Sequence, residues 1–182
     1  MKIYFATGNS GKVNHADNVL DCEVEQLDIE TVEPSIDSIE DIALSKLEQA
    51  AKKTDIEDAF LIADDSGLFI DELNGFPGPQ TAFFDRKVGK NRILDLVEPG
   101  ARAEFRAAIG LFIPDGDNKV FSGKISGQVV EPRGDGGFGY DPIFQPEGQG
   151  KTWGEDPSLK DETSHRQKAL MELKNYIDEH LI

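Results

Sequence analysis

Ile3-Tyr4-Phe5-Ala6-Thr7-Gly8-Asn9-Ser10-Gly11-Lys12 opens with four residues of strand character and runs into a glycine-containing turn. A helical stretch follows as far as Leu20, and residues 24–27 read as a second strand. Strand, turn, helix, strand is the order in which helices come to cover the faces of a sheet. Further along, Ser38 with Asp41 three residues later forms a capping-box pattern. Ile39, Ile42, Ala43, Leu47 and Ala50 recur at helical spacing, which predicts a helix over 38–53. Residues 60–63 are a continuous apolar run, as an interior strand requires, with a turn expected at Ser66-Gly67 and extended chain resuming at 68–70. Gly75-Phe76-Pro77-Gly78-Pro79 reads as a rigid loop and 89–97 as a helix.

The later half changes character. Ala103, Phe105, Ala107, Ile109, Leu111 and Ile113 alternate with other residues and mark a long strand. Asp115-Gly116-Asp117-Asn118 turns the chain, and 120–130 returns as a hairpin partner. Ser164 as N-cap, with Gln167 three residues on, starts a last helix. Its buried stripe is Ala169, Leu170, Leu173, Tyr176 and Ile177. Helices alternating with strands early and a hairpin late predict a mixed sheet flanked by helices. No repeat, linker or low-complexity segment divides the 182 residues, so one domain is expected.

The net charge of -16 disfavours a nucleic-acid partner, whose phosphates such a surface repels. A phosphate site in this chain needs gathered lysines or a bound cation. The single cysteine, Cys22, cannot form an internal disulfide, which fits a reducing compartment. The chain starts directly on a strand and has no apolar run long enough to span a bilayer, so a cytoplasmic protein is expected.

Four segments could carry chemistry. In Thr7-Gly8-Asn9-Ser10-Gly11-Lys12, the glycines expose backbone N–H groups, the helix start carries partial positive charge and Lys12 adds a full one. The spacing is not that of a Walker A loop. In Asp64-Asp65-Ser66-Gly67, two carboxylates end an apolar strand, and alternation sends them to opposite faces. Burying them requires compensating positive charge, which Mg²⁺ would supply. Glu33, in irregular sequence beside Pro34, is free to aim at such a cation, whereas Glu40 in the first helical turn suits the helix dipole. Gly136-Gly137-Phe138-Gly139-Tyr140-Asp141-Pro142 offers two aromatic rings, either a platform for a base or core beneath a tight turn. Ser164-His165-Arg166 puts cations at a helix start, where the dipole opposes them. Arg166 has donors suited to a carbonyl or phosphate.

Taken together, these segments resemble the inosine/xanthosine triphosphate pyrophosphatase family, in order and spacing, over essentially the whole chain. Asp64-Asp65-Ser66-Gly67-Leu68, Gly75-Phe76-Pro77-Gly78 and Phe138-Gly139-Tyr140-Asp141-Pro142-Ile143-Phe144 carry most of the likeness. Asn14 and His15 stand where the family commonly has a glutamate, and Gln80-Thr81-Ala82-Phe83-Phe84 departs from its usual pattern. The resemblance implies an α/β fold of two lobes around a long, curved mixed sheet, an active site in a central cleft, and a homodimer. It implies Mg²⁺-dependent hydrolysis of ITP, dITP or XTP to the monophosphate and pyrophosphate. By the same resemblance, Thr7, Gly8, Asn9, Ser10, Gly11 and Lys12 cradle the triphosphate, with Lys46 as a further phosphate contact. Glu33 and Asp65 bind the metal, Asp65 is the general base, and Ser66 contacts substrate. Phe138 stacks on the purine with Gly139, Tyr140 and Asp141 beside it, while Lys160, His165 and Arg166 read the base and phosphates. The alternatives are a pyrophosphatase for modified pyrimidine or methylated nucleotides, and a nucleotide-binding module without turnover.

Overall fold

The computed structural model describes residues 1–54 and 59–181. It is an α/β protein with a mixed, open sheet flanked by helices. The first strand, β1 (Lys2–Ala6), leads into helix α1 (Ser10–Leu20), and β2 (Glu23–Leu27) returns parallel to β1 with Ile3 opposite Val24. Helix α2 (Ile39–Lys53) starts at Ser38, whose hydroxyl accepts the Asp41 N–H. Next come β3 (Phe60–Ile70), the two-residue β4 (Pro77–Gly78) and helix α3 (Thr81–Lys87). Strands β5 (Arg102–Phe112) and β6 (Lys119–Val129) follow, then β7 (Phe144–Pro146) and helices α4 (Ser158–Thr163) and α5 (His165–His180). The sheet order is β2-β1-β3-β5-β6-β7, with β4 antiparallel on β3. β3 is parallel to β1, and β7 is antiparallel to β6.

The chain forms two compact units. The first comprises Met1–Asp65, Ala107–Gly123 and Lys168–Ile182; the second comprises Ser66–Arg106 and Lys124–Gln167. In the first unit the strands alternate strictly. Ile3, Phe5, Ile62, Ile109 and Leu111 share one core with Val13, Ala16 and Leu20 of α1 and with Ala169, Leu170, Leu173 and Ile177 of α5. Leu61 and Ala63, pointing the other way, share a second core with Leu47 and Ala50 of α2. Each buried leucine or isoleucine contributes about 1.5–3 kcal/mol through the water it sheds. The second unit packs Leu68, Ile70, Ile93, Ala103, Phe105, Val129 and Ile143 around a cluster of rings. Phe144 stands 4.8 Å from both Phe105 and Trp153.

Two expectations from sequence are corrected. Ser66-Gly67 is not a turn, because β3 runs unbroken through it for 11 residues. A Cβ on Gly67 would meet the Gly78 carbonyl oxygen at 2.0 Å, so the glycine admits β4 rather than bending the chain. Thr81 locks this crossing by donating to Gly78 O at 2.6 Å and accepting Leu68 N–H at 2.8 Å. The stretch 89–97 forms only a 3₁₀ helix at Lys90–Asp95, entered from Gly89 at φ +93° with no side-chain cap.

Candidate active site

In the first unit, alternation along β3 decides where the paired aspartates go. Asp64 follows Ile62 by two residues and shares its face, covered by α1. Asp65 follows Ala63 by two and shares the face covered by α2. Each meets a lysine from its own covering helix. Lys12 Nζ lies 2.7 Å from Asp64 Oδ1, and Lys46 Nζ lies 3.4 Å from Asp65 Oδ1. Lys46 also reaches Glu33 Oε1 at 3.0 Å, so one ammonium holds the two predicted metal carboxylates together. Both aspartates are buried, at 2% and 5% exposure, while Glu33 is exposed.

Three carboxylates around one ammonium shape the electrostatics. Burial pushes the Asp65 carboxyl up to about 6; Lys46 pulls it down, and Glu33 and Asp64 push it up again. For Lys46, burial opposes the charged form, but Asp65, Asp64 and Glu33 together outweigh it and hold the ammonium above its ordinary pKa. Asp65 Oδ2 is buried and takes no hydrogen bond from the described residues.

The glycine turn before α1 is held by its own side chains. Asn9 Oδ1 accepts the N–H groups of Gly11 at 2.9 Å and Lys12 at 3.3 Å. Thr7 Oγ1 accepts Asn9 N–H, and Gln26 donates to Thr7 O. Two N–H groups expected to face an anion are therefore already capped. Gly8, Asn9, Ser10 and Gly11 are exposed to solvent.

In the second unit, Phe138 and Tyr140 go separate ways. Phe138 is 67% exposed, whereas Tyr140 is 4% exposed and donates its phenol to Thr81 O at 3.1 Å. Burial, with Asp85 assisting, pushes the Tyr140 phenol up. Asp141 is the anchor of this loop. Its buried carboxylate accepts Phe138 N–H at 2.9 Å and holds Lys160 Nζ at 2.7 and 2.9 Å. Lys160 Nζ in turn lies 3.7 Å from the centre of the Phe138 ring. Gly137, at φ +70°, is obligatory here, because a Cβ would strike Asp141 Oδ2 at 2.2 Å. Gly139 also has positive φ. His165 is buried and stacks on Phe105 at 5.0 Å, and Arg166 donates to Ser66 Oγ at 3.4 Å. Ser164 Oγ accepts Gln167 N–H at 3.2 Å, as its N-cap position requires.

The structure thus gathers Lys12 with Asp64, and Lys46 with Glu33 and Asp65, in one unit. It gathers Phe138, Asp141 and Lys160, and Ser66 with Arg166, in the other. Sequence reasoning gave no role to Thr81 or Gln26; Leu68 and Thr7, which they reach, lie 13 and 19 residues away and leave no local signal. A cavity of about 480 Å³ in the second unit, lined by Asp71, Arg102, Glu104 and Gln145 among others, contains none of the candidate residues. Among the described residues no three His, Cys, Asp or Glu side chains cluster as a ready metal cage. Two carboxylates with one oxygen unsatisfied nonetheless suit a hard cation that takes its remaining ligands from phosphate and water. No helix of the described residues is long and apolar enough to cross a membrane.

Comparison with known proteins agrees over the full length. A dITP/XTP pyrophosphatase of Methanopyrus kandleri is 43% identical over 177 residues, 93% of each chain. One of Thermococcus kodakarensis is 38% identical over 100% of both. The solved Ham1 protein of Staphylococcus aureus superposes with a TM-score of 0.86 at 31% identity, covering 98% of this chain and 99% of that one. The Ham1 family matches residues 3–176, and the chain belongs to it.

Proposed function

We propose that this protein hydrolyses 6-oxo purine nucleoside and deoxynucleoside triphosphates, ITP, dITP and XTP, to the monophosphate and pyrophosphate. The relatives that align end to end with it carry the name dITP/XTP pyrophosphatase. The observation in this chain that carries the reading is Asp65: a buried carboxylate with one oxygen unsatisfied, raised to about 6, beside Lys46 and Glu33.

Asp65 and Glu33 are the residues that would hold Mg²⁺, which when bound offsets the charge of the phosphates. Lys12, Lys46 and the turn from Thr7 to Gly11 bind and align the phosphate chain. Asp65, ionised at neutral pH yet basic enough to take a proton, accepts one from the attacking water. The water oxygen bonds to the α-phosphorus as the bond from that phosphorus to the α,β-bridging oxygen breaks, and pyrophosphate carries away the bonding pair. Positioning and electrostatics supply most of the rate.

Phe138 stacks on the purine, and Asp141 and Lys160 hold that ring in place. Donors from His165 and Arg166 face the 6-oxo oxygen. Adenine would present an amino donor to those donors and be rejected. The protein is further proposed to be a cytoplasmic homodimer. Pyrophosphate release from ITP, XTP, dITP, GTP and ATP, each with and without Mg²⁺, tests the reading. Fast release from ITP, dITP and XTP only with Mg²⁺ is expected. Equal rates with ATP, or no release from any purine triphosphate, would overturn it.

A further inference from the structure

Glu33 lies in a segment without regular secondary structure between β2 and α2, yet its carboxylate is brought to Lys46. One face of α2 explains how. Lys46, Gln49 and Lys53 follow at i, i+3 and i+7, a spacing that stacks side chains along a single helix face. All three reach the same strand-less segment. Lys46 Nζ meets Glu33 Oε1 at 3.0 Å, and Lys53 Nζ donates to Glu30 O at 2.6 Å. Between them, Gln49 Oε1 accepts the Val32 N–H at 2.8 Å, and Gln49 Nε2 donates to Val32 O at 2.8 Å.

The central contact is the most specific. A carboxamide pairs with both backbone groups of one residue in the way a neighbouring strand would, and only one orientation of the amide satisfies both. Ser45 Oγ, one turn earlier, accepts the same Gln49 Nε2 at 3.2 Å and reinforces that orientation. Val32 itself is 74% exposed, so apolar packing does not hold this point of the chain. The residue fixed by the clamp is the immediate neighbour of Glu33.

We infer that Gln49 is a positioning residue for the metal site: by clamping the Val32 backbone it fixes where the Glu33 carboxylate stands beside Lys46 and Asp65. This deepens the reading of Glu33 as a metal ligand and rests on it. Without the clamp, Glu33 must be ordered by the cation itself, and affinity falls. Outer partners of metal ligands typically change affinity about 10- to 100-fold; here the clamp acts through backbone, so a loss of about tenfold is expected.

The test is Mn²⁺ binding, read from the free-ion electron paramagnetic resonance signal, for the wild type, Glu33→Gln and Gln49→Met. Methionine keeps the length and helix propensity of glutamine but neither hydrogen bond. Weakened Mn²⁺ binding in both variants, with the Gln49→Met melting temperature within a few degrees of wild type, supports the inference. In turnover assays the same variant should need about tenfold more Mg²⁺ for half-maximal rate, while its kcat at saturating Mg²⁺ recovers. If Glu33→Gln loses Mn²⁺ and Gln49→Met does not, the positioning role is overturned and the metal reading stands. If neither variant loses Mn²⁺, Glu33 is not a ligand and both readings fall. A lowered kcat that no Mg²⁺ concentration restores would also overturn the positioning role.

Discussion

Asp65 is held at a cost to the fold, and that cost is measurable. Its carboxyl binds a proton more tightly in the folded chain, at about 6, than at the ordinary value of 3.8. The stability it contributes is therefore fully present below the lower value and is lost as pH rises through the higher one. In metal- and nucleotide-free protein near about pH 7.5, Asp65→Asn should stabilise by about 1–3 kcal/mol while nearly abolishing turnover. Urea melts across this pH window check it: the gap between variant and wild type should open between the two pKa values and stay constant above. The two aromatic residues of the 136–142 loop make a contrasting pair. Phe138→Ala removes an exposed ring and should raise KM with little change in stability. Tyr140→Phe removes the hydrogen bond to Thr81 and should cost about 1 kcal/mol with KM unchanged. Melting curves and steady-state kinetics on both variants separate the roles. At sequence level these rings were one motif with two readings; burial, which no motif encodes, divided them.

Elements whose order is written locally were legible in the sequence. The N-caps Ser38 and Ser164, the alternation from Ala103 to Leu111 and the stripe of the last helix all appear where their residues demand. Elements fixed by distant chain were not. Helix α3 has no side-chain cap and β7 is only three residues long; Thr81 at the start of α3 is tied to Leu68 of β3, and β7 pairs with β6. Gly67 shows the difference most clearly: glycine after Ser66 reads as a turn, yet its purpose lies at Gly78, 11 positions on. Gly67→Ala should displace β4 and cost roughly 3 kcal/mol or more, the penalty of overpacking a tight contact that cannot relax. Thermal unfolding would register the loss. The candidate site divides the same way. Asp65, Lys12 and Phe138 stand in recognisable motifs, whereas Gln49 reaches Val32 across 17 residues of sequence and announces nothing.

The whole molecule carries 35 acidic and 19 basic side chains, a net charge of -16. Self-repulsion on that scale works against compactness, and salt relieves it. Raising NaCl from about 0.05 M to about 0.5 M should therefore raise the melting temperature by several degrees. A flat or falling response by calorimetry would show that local ion pairs, such as Lys2 with Glu23 and Glu25, already offset the excess. Connectivity has its own consequence. The chain passes from one unit to the other at Asp65–Ser66, returns after Arg106, leaves again after Gly123 and comes home at Lys168. No single cleavage can release either half intact, and no uninterrupted gene fragment encodes one. Anyone wishing to study one half alone would have to stitch remote stretches together with artificial linkers.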